Sequence, residues 1–562
     1  MSFIPSDLTI KKWDDIRPFF DDLQKRPLED KASLEQWLAD KSELASFLEE
    51  ELAWRYINTA RYTNDEDYKQ AFEDYISNIL PHIENEDDLL NKKFIDATPL
   101  NELPKEPYHI LIRSVNRRIE LFRKENIPLL AEMRKMEQEY GAITSKLTIT
   151  HKGEELTLQQ ASNFLHDTDR HLRETIYKKI ADARFSAKES LDNLFTQLME
   201  VRQNIAQNTG YSNYRDYKFD EMERFDFTVK DCANFHHSIR KTVVPLIEHL
   251  HQERLQALKL DSLRPWDLEV DISGKESLKP YSSIDNLIDN TITTFSNIKP
   301  EFGEYIKTMK DMKHLDLESR KHKAPGGFNY PLHKTNVPFI FANFTNTFHD
   351  LQTMVHEGGH AVHSFLTANL PLVDFKEFPS EVAELASMSM ELLSMKYWNL
   401  FFNDTESVTR AKRKQLHGVV TVLPWVAAID KFQHEVYTLP DMTTPENRHD
   451  LWNRIYTEFS SSVIDWSGLD DIKRTLWQRQ LHLFEVPFYY IEYGFSQLGA
   501  VAVWKNSNTN FEKAIQDYKN ALSLGYTKTV PEIYKTAGIE FNFSTSYIEQ
   551  LINFVKSQLE TL

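Results

Sequence analysis

Cysteine occurs once in this chain of 562 residues, at Cys232. One thiol forms no intrachain disulfide and no cluster of thiolate metal ligands, and it fits a reducing cytoplasm. Basic residues are also short. Lys and Arg number 66 against 85 Asp and Glu, a net charge of −19. That balance argues against nucleic-acid binding, which needs a basic surface, and favours solubility. Long apolar runs are missing too. The longest, around Val419 to Ile429, contains Thr421 and Pro424 and is too short to span a bilayer, so no membrane association is expected. The first residues, Met1-Ser-Phe-Ile-Pro-Ser-Asp-Leu, lack the basic-then-apolar pattern of a signal peptide, and a cytoplasmic location is expected. Glycine is scarce, at 15 residues.

Low glycine and long periodic segments rich in Glu, Lys, Leu and Ala predict a mainly α protein. Such segments run over Leu34 to Leu52, Ile110 to Tyr140, Thr157 to Gln207 and Val229 to Leu258. Strand signals are few. Residues 146–157 alternate like a hairpin with Lys152-Gly153 at the turn, and Pro338 to Phe344 reads as a strand. We divide the chain into an N-terminal helical region (1–105), a helical region with a β-hairpin that contributes to a non-catalytic lobe (106–210), and a catalytic lobe (211–562).

The most informative segment is His356-Glu-Gly-Gly-His360. Residues four apart share one face of an α-helix, so His356 and His360 can aim two imidazole nitrogens at a single zinc ion. Glu357, one step round, can reach a water on that ion as general base without ligating it. Thr347 with Asp350 three residues on resembles a capping box, which starts the helix there. Gly358 and Gly359 each cost a helix about 1 kcal/mol relative to Ala. The pair is expected where metal, water and substrate approach closely. The bland alternative is a surface helix with two unrelated histidines.

A catalytic zinc takes three protein ligands. A second helix opens near Pro379-Ser380, and between positions 385 and 395 its only charge is Glu391. An almost wholly apolar helix is buried, and a buried carboxylate needs a cation or metal. Glu384 and Glu391, seven apart, share a face. Glu384 is the expected third ligand and Glu391 the acceptor that orients a ligating histidine. Glu377 and Glu381 are rival ligands that look more solvent-facing. Near the C-terminus, His482 precedes Pro487-Phe-Tyr489-Tyr490-Ile-Glu-Tyr493. Pro487 is expected to end one helix and start the next, with Tyr489 and Tyr493 on one face. Hydroxyls or an imidazole there can donate to a developing oxyanion, although aromatic runs are more often core.

These pieces together resemble the oligoendopeptidase F branch of the thimet oligopeptidase family of zinc metallopeptidases. The matching elements are Pro325-Gly-Gly-Phe328, Pro338-Phe-Ile-Phe-Ala-Asn-Phe344, Asp350 ahead of His356-Glu-x-Gly-His360, Ala383-Glu384-x-Ala-Ser387 with Glu391, and His482 followed by Pro-Phe-Tyr489. The hairpin-plus-helix stretch from Leu147 to Arg173 is also similar. The resemblance implies a large two-lobed helical zincin-type fold with a deep substrate channel and small β elements near the site. It implies one Zn²⁺ on His356, His360 and Glu384, with Glu391 and Asp350 behind the ligands. Glu357 would be the base, and His482 with one of Tyr489, Tyr490 and Tyr493 would bind the oxyanion. Short unfolded peptides are the implied substrates, for a monomer or small homo-oligomer. If Phe339 to Phe344 is a sheet edge, peptide would align there by main-chain hydrogen bonds, along Phe341, Ala342 and Asn343 and near Gly326 and Gly327. Gly358 stands where the family usually has a bulky residue, and the glycine-rich loop of the thimet branch is absent. The alternatives are a carboxydipeptidase on the same zinc chemistry and a catalytically silent zinc- or peptide-binding protein.

Overall fold

The computed structural model describes residues 2–562. It is 69% helical with small sheets, as the periodicity predicts. The chain forms two compact units, each from three separated stretches: Met1–Glu120, Lys279–Ala411 and Gly499–Phe541 in the first, Leu121–Leu278, Lys412–Leu498 and Asn542–Leu562 in the second.

In the first unit the helix Lys31–Arg61 begins at Asp30, whose carboxylate accepts from the Ser33 N–H. Its apolar face buries Leu34, Trp37, Leu44 and Phe47 against Phe20, Leu23, Phe94, Leu372 and Phe375. The Trp37 indole N–H, stranded in this core, donates to the Leu23 carbonyl at 2.9 Å. β1 (Thr148–His151) and β2 (Glu154–Thr157) belong to the second unit, and the first holds a three-stranded sheet of β3 (Leu315–Glu318), β4 (Phe328–Tyr330) and β5 (Phe339–Phe344), in the order β3-β5-β4. β5 is parallel to β3 and antiparallel to β4.

That order corrects one expectation. β5 is the central strand, so both flanks of its backbone are paired and no peptide can add to it. Phe341 and Ala342 are buried, and Phe341 stacks on Phe328 with ring centroids 4.8 Å apart. The almost continuous apolar run Phe-Ile-Phe-Ala-Asn-Phe is the pattern of a strand covered on both faces. Its second neighbour comes from Leu315-Asp-Leu-Glu318, a stretch too short and polar to announce a strand. Asp316 there binds Arg61 Nε at 2.8 Å, Arg320 at 2.5 and 2.8 Å, and Lys323 Nζ at 2.9 Å. Lys323 also donates to the Ala342 carbonyl at 2.5 Å, so its ammonium ties β3 to β5.

In the second unit β1 (Thr148–His151) and β2 (Glu154–Thr157) pair antiparallel, and Lys152 and Gly153 take φ of 51° and 85° in the two-residue turn. The periodic segment from Ile110 to Tyr140 is not one helix but two, Lys105–Leu121 and Asn126–Thr144. The break falls where the chain passes from the first unit to the second. The stretch Val229 to Leu258 is likewise two helices, Val229–Thr242 and Val244–Ala257, because Pro245 sits at the start of the latter.

Candidate metal centre

The motif lies on the helix Phe348–Thr367, hereafter the histidine helix. Its start is over-determined. Thr347 Oγ1 accepts from the Asp350 N–H, while the Asp350 carboxylate accepts from the N–H of Thr345 and Thr347, the Thr347 hydroxyl, and the Tyr281 hydroxyl at 2.6 Å. Asp350, expected behind the metal ligands, therefore spends its carboxylate on the cap, and among the described residues it hydrogen-bonds to none of them. Tyr281, 69 residues upstream, carries no sequence signal for this contact.

Glu384 comes from the helix Ser380–Ser394, the acid helix, which packs along the histidine helix. One donor atom each from His356, His360 and Glu384 lies within 4.8 Å of the others. Glu384 Oε2 stands 3.4 Å from His356 Nε2 and 3.8 Å from His360 Nε2. Zinc bonds of 2.0–2.2 Å in a tetrahedron set donor atoms about 3.3–3.5 Å apart, so the Glu384–His356 spacing matches and the Glu384–His360 spacing is slightly long. Glu391 Oε1 lies 2.7 Å from His356 Nδ1, which fixes the ring so that Nε2 faces Glu384. Ser387 donates to Glu384 Oε2 at 3.1 Å. This orienting contact is legible in hindsight from the i,i+3 spacing. Of the rival ligands, Glu381 is 3% exposed rather than solvent-facing.

Glu357 is nearly buried beside the triad, and its backbone carbonyl accepts from Asn329 Nδ2 on β4 at 3.1 Å. Burial pushes its carboxyl up to about 7, with the His356 charge opposing and the Glu384 and Glu391 charges reinforcing that rise. Glu384 is held down to about 2 because hydrogen bonds and the charges of both histidines outweigh its burial.

The two glycines do not face the reaction site. A Cβ on Gly358 would meet the Phe295 ring at 2.6 Å, and one on Gly359 would meet Ser387 Cα at 2.6 Å and the Ala386 carbonyl oxygen at 2.8 Å. Close packing of the histidine helix against Phe295 and the acid helix explains the pair. The expected approach of metal and substrate does not, and Gly358 makes room for the Phe295 ring.

Gly326, with φ +96°, and Gly327 lead into β4. Asn343 uses its amide to hold that turn, donating to the carbonyls of Ala324 at 2.8 Å and Gly326 at 3.0 Å.

His482, Tyr489, Tyr490 and Tyr493 all belong to the second unit and form one cluster. Ring centroids lie 4.8 Å apart for His482 and Tyr490, 5.8 Å for His482 and Tyr493, and 5.5 Å for Tyr489 and Tyr493. Pro487 does not start the next helix, which begins at Ile491. Between them Phe488 takes φ of 69°, held by its N–H to Gln433 and its carbonyl to Arg224. Sequence reasoning missed a relay here. Trp425 Nε1 donates to Gln480 Oε1 at 2.8 Å, which turns the Gln480 NH₂ toward His482 Nδ1 at 2.7 Å. An indole N–H only donates, so His482 Nδ1 accepts and its proton sits on Nε2. Burial pushes the Tyr490 hydroxyl up to about 12, which keeps it a donor.

Two family models match. The description "Peptidase family M3" covers residues 163–552, and "Peptidase M3 N-terminal domain" covers residues 3–122. The chain belongs to peptidase family M3, a family of metallopeptidases. It is similar to oligopeptidase PepF of Bacillus subtilis, 21% identical over 71% of this chain and 58% of that one. It is also similar to an oligoendopeptidase F homolog of Mycoplasma genitalium, 23% identical over 67% of this chain and 63% of that one. The matches thus span less than two thirds of either relative. A solved structure of PZ peptidase A with an inhibitor superposes with a TM-score of 0.91 at 24% identity, over 100% of this chain and 99% of that one, a likeness of fold.

Proposed function

We propose that the protein is a zinc-dependent oligoendopeptidase that hydrolyses internal bonds of short unfolded peptides. The observation that carries this reading is the convergence of His356, His360 and Glu384 at zinc-ligand spacing, with Glu357 alongside. Bound there, zinc would polarise the scissile carbonyl and lower the pKa of a water toward about 7. Glu357 takes the proton of the attacking water and delivers it to the leaving amine. Its burial matches that role, since a carboxyl raised toward neutrality both accepts and returns a proton. Glu391 and Ser387 keep the ligands oriented. We assign oxyanion donation to His482, through Nε2–H, and to a hydroxyl of Tyr489, Tyr490 or Tyr493.

Alignment of the peptide moves from β5 to β4. β4 has one partner strand, follows Gly326-Gly327, and reaches Glu357 through Asn329. Main-chain pairing along such an edge reads few side chains, so cleavage preference is expected to be broad.

Peptides blocked at both ends, digested with and without a metal chelator and mapped by mass spectrometry, test the reading. Internal cleavage that the chelator abolishes is expected. Cleavage only of peptides with a free C-terminus would mark a carboxydipeptidase, and none at all with zinc bound would mark a silent binding protein.

A further inference from the structure

Cys232 has a setting that the peptidase reading does not use. It lies on the helix Val229–Thr242 with His236 four residues on, and Asp430 and His434 repeat that spacing on the helix Thr405–Val436. Residues four apart share a helix face, so each helix presents a pair of metal-ligating side chains. All four belong to the second unit, and the pairs meet across the two helices, His236 reaching Asp430 and Cys232 lying near Asp430 and His434. Single donor atoms of Cys232, Asp430 and His434 lie within 4.8 Å of each other. Cys232 and Asp430 are fully buried, and His236 and His434 are each 8% exposed.

Hydrogen bonding leaves this cluster incomplete. His236 Nε2 meets Asp430 Oδ2 at 2.7 Å, which accounts for one carboxylate oxygen. Among the described residues Asp430 Oδ1 is buried without a hydrogen-bond partner. His434 Nε2 is 3.2 Å from Asp430 Oδ2. That spacing is close to the edge between two ligands of one tetrahedral ion, about 3.3 Å. A carboxylate oxygen left unpaired at zero exposure is unfavourable, and a cation beside it would satisfy it. The surroundings supply apolar walls, with the Phe219 and Phe488 rings 5.6 and 5.5 Å from the His434 ring.

We propose that Cys232, Asp430 and His434 hold a second, buried divalent transition metal of the zinc or cobalt type, with His236 orienting Asp430. A thiolate and an imidazole beside one carboxylate select such an ion over magnesium or calcium. Binding exchanges the Cys232 thiol proton, released to solvent, for the metal–sulfur bond. The ion would join the helices Val229–Thr242 and Thr405–Val436 rather than take part in hydrolysis.

Full-length protein produced in cobalt-supplemented medium tests this, because the ion is then present while the chain folds. The first site offers no sulfur and Cys232 is the only cysteine, so a thiolate-to-cobalt charge-transfer band in the near ultraviolet reports this site alone, whatever the first site does. The expected result is that band in the wild type, with one more metal ion per chain than in Cys232→Ser, which loses the band. Asp430→Asn should weaken it. Folded wild type with no sulfur-to-cobalt band, or a band that survives Cys232→Ser, would overturn the proposal.

Discussion

Replacing Gly359 by Ala adds one methyl group at the seam between the histidine helix and the acid helix. Its Cβ would sit 2.6 Å from Ser387 Cα and 2.8 Å from the Ala386 carbonyl, where ordinary contact begins at 3.4 Å. Both neighbours are backbone, so no side chain can swing aside and the helices must part by 0.8 Å, the difference between 3.4 and 2.6 Å. Glu384 rides on the same helix one turn earlier. Ligand distances in a metal site tolerate about 0.2 Å, so the displacement is about four times what the triad can absorb. Overpacking costs about 1–3 kcal/mol, and the gain in helix propensity returns about 1 kcal/mol. The fold therefore survives while the metal site does not. We expect Gly359→Ala to unfold within a few degrees of the metal-free wild type but to bind zinc at least tenfold more weakly, a loss of about 1.4 kcal/mol. Competition against a chromophoric chelator measures the affinity, and thermal melts with and without chelator measure the fold. Zinc affinity within twofold of wild type, with a raised melting temperature, would refute the packing argument. Gly358→Ala should be milder, because the atom it meets belongs to the Phe295 ring, which can shift.

Three further outcomes follow from the same geometry. Glu357→Gln should keep stoichiometric zinc and lose nearly all turnover in a peptide assay; near-normal activity would refute the assigned base. Glu391→Ala frees the His356 ring, which is 2.7 Å from that carboxylate, and should weaken zinc binding about 10- to 100-fold by the same competition assay. Asp316 is held well below the usual carboxylate range because hydrogen bonds from Arg320, Lys323 and Arg61 outweigh its burial. A depressed carboxylate stabilises the fold above the ordinary value near 4, and that contribution is lost as pH falls toward the folded value. Asp316→Asn should thus cost about 3 kcal/mol in denaturant unfolding at neutral pH and little in strong acid; an equal cost at both pH values would contradict this.

Short-range chemistry was legible in the sequence. The i,i+4 histidines, the Thr347–Asp350 cap, the Lys152-Gly153 turn and the lone charge in the apolar acid helix each follow from rules spanning a few residues, and each is realised. What failed depended on partners far along the chain. The glycine pair is explained by Phe295 and Ser387, which lie 63 and 28 residues from Gly358 and Gly359. Whether β5 is an edge is not legible, because β3 carries too weak a pattern to read as its second neighbour. A place for Asp350 behind the metal rests on analogy alone, and the N–H and O–H donors of the cap occupy its carboxylate first. The relay from Trp425 through Gln480 to His482 joins residues 57 apart, and no spacing rule reaches it.

The most direct test of the central claim is a crystal structure of the purified protein with data collected on both sides of the zinc absorption edge. The account predicts an anomalous peak about 2.0–2.2 Å from His356 Nε2, His360 Nε2 and a Glu384 oxygen. Zinc-edge signal at other residues with none between these three would contradict it.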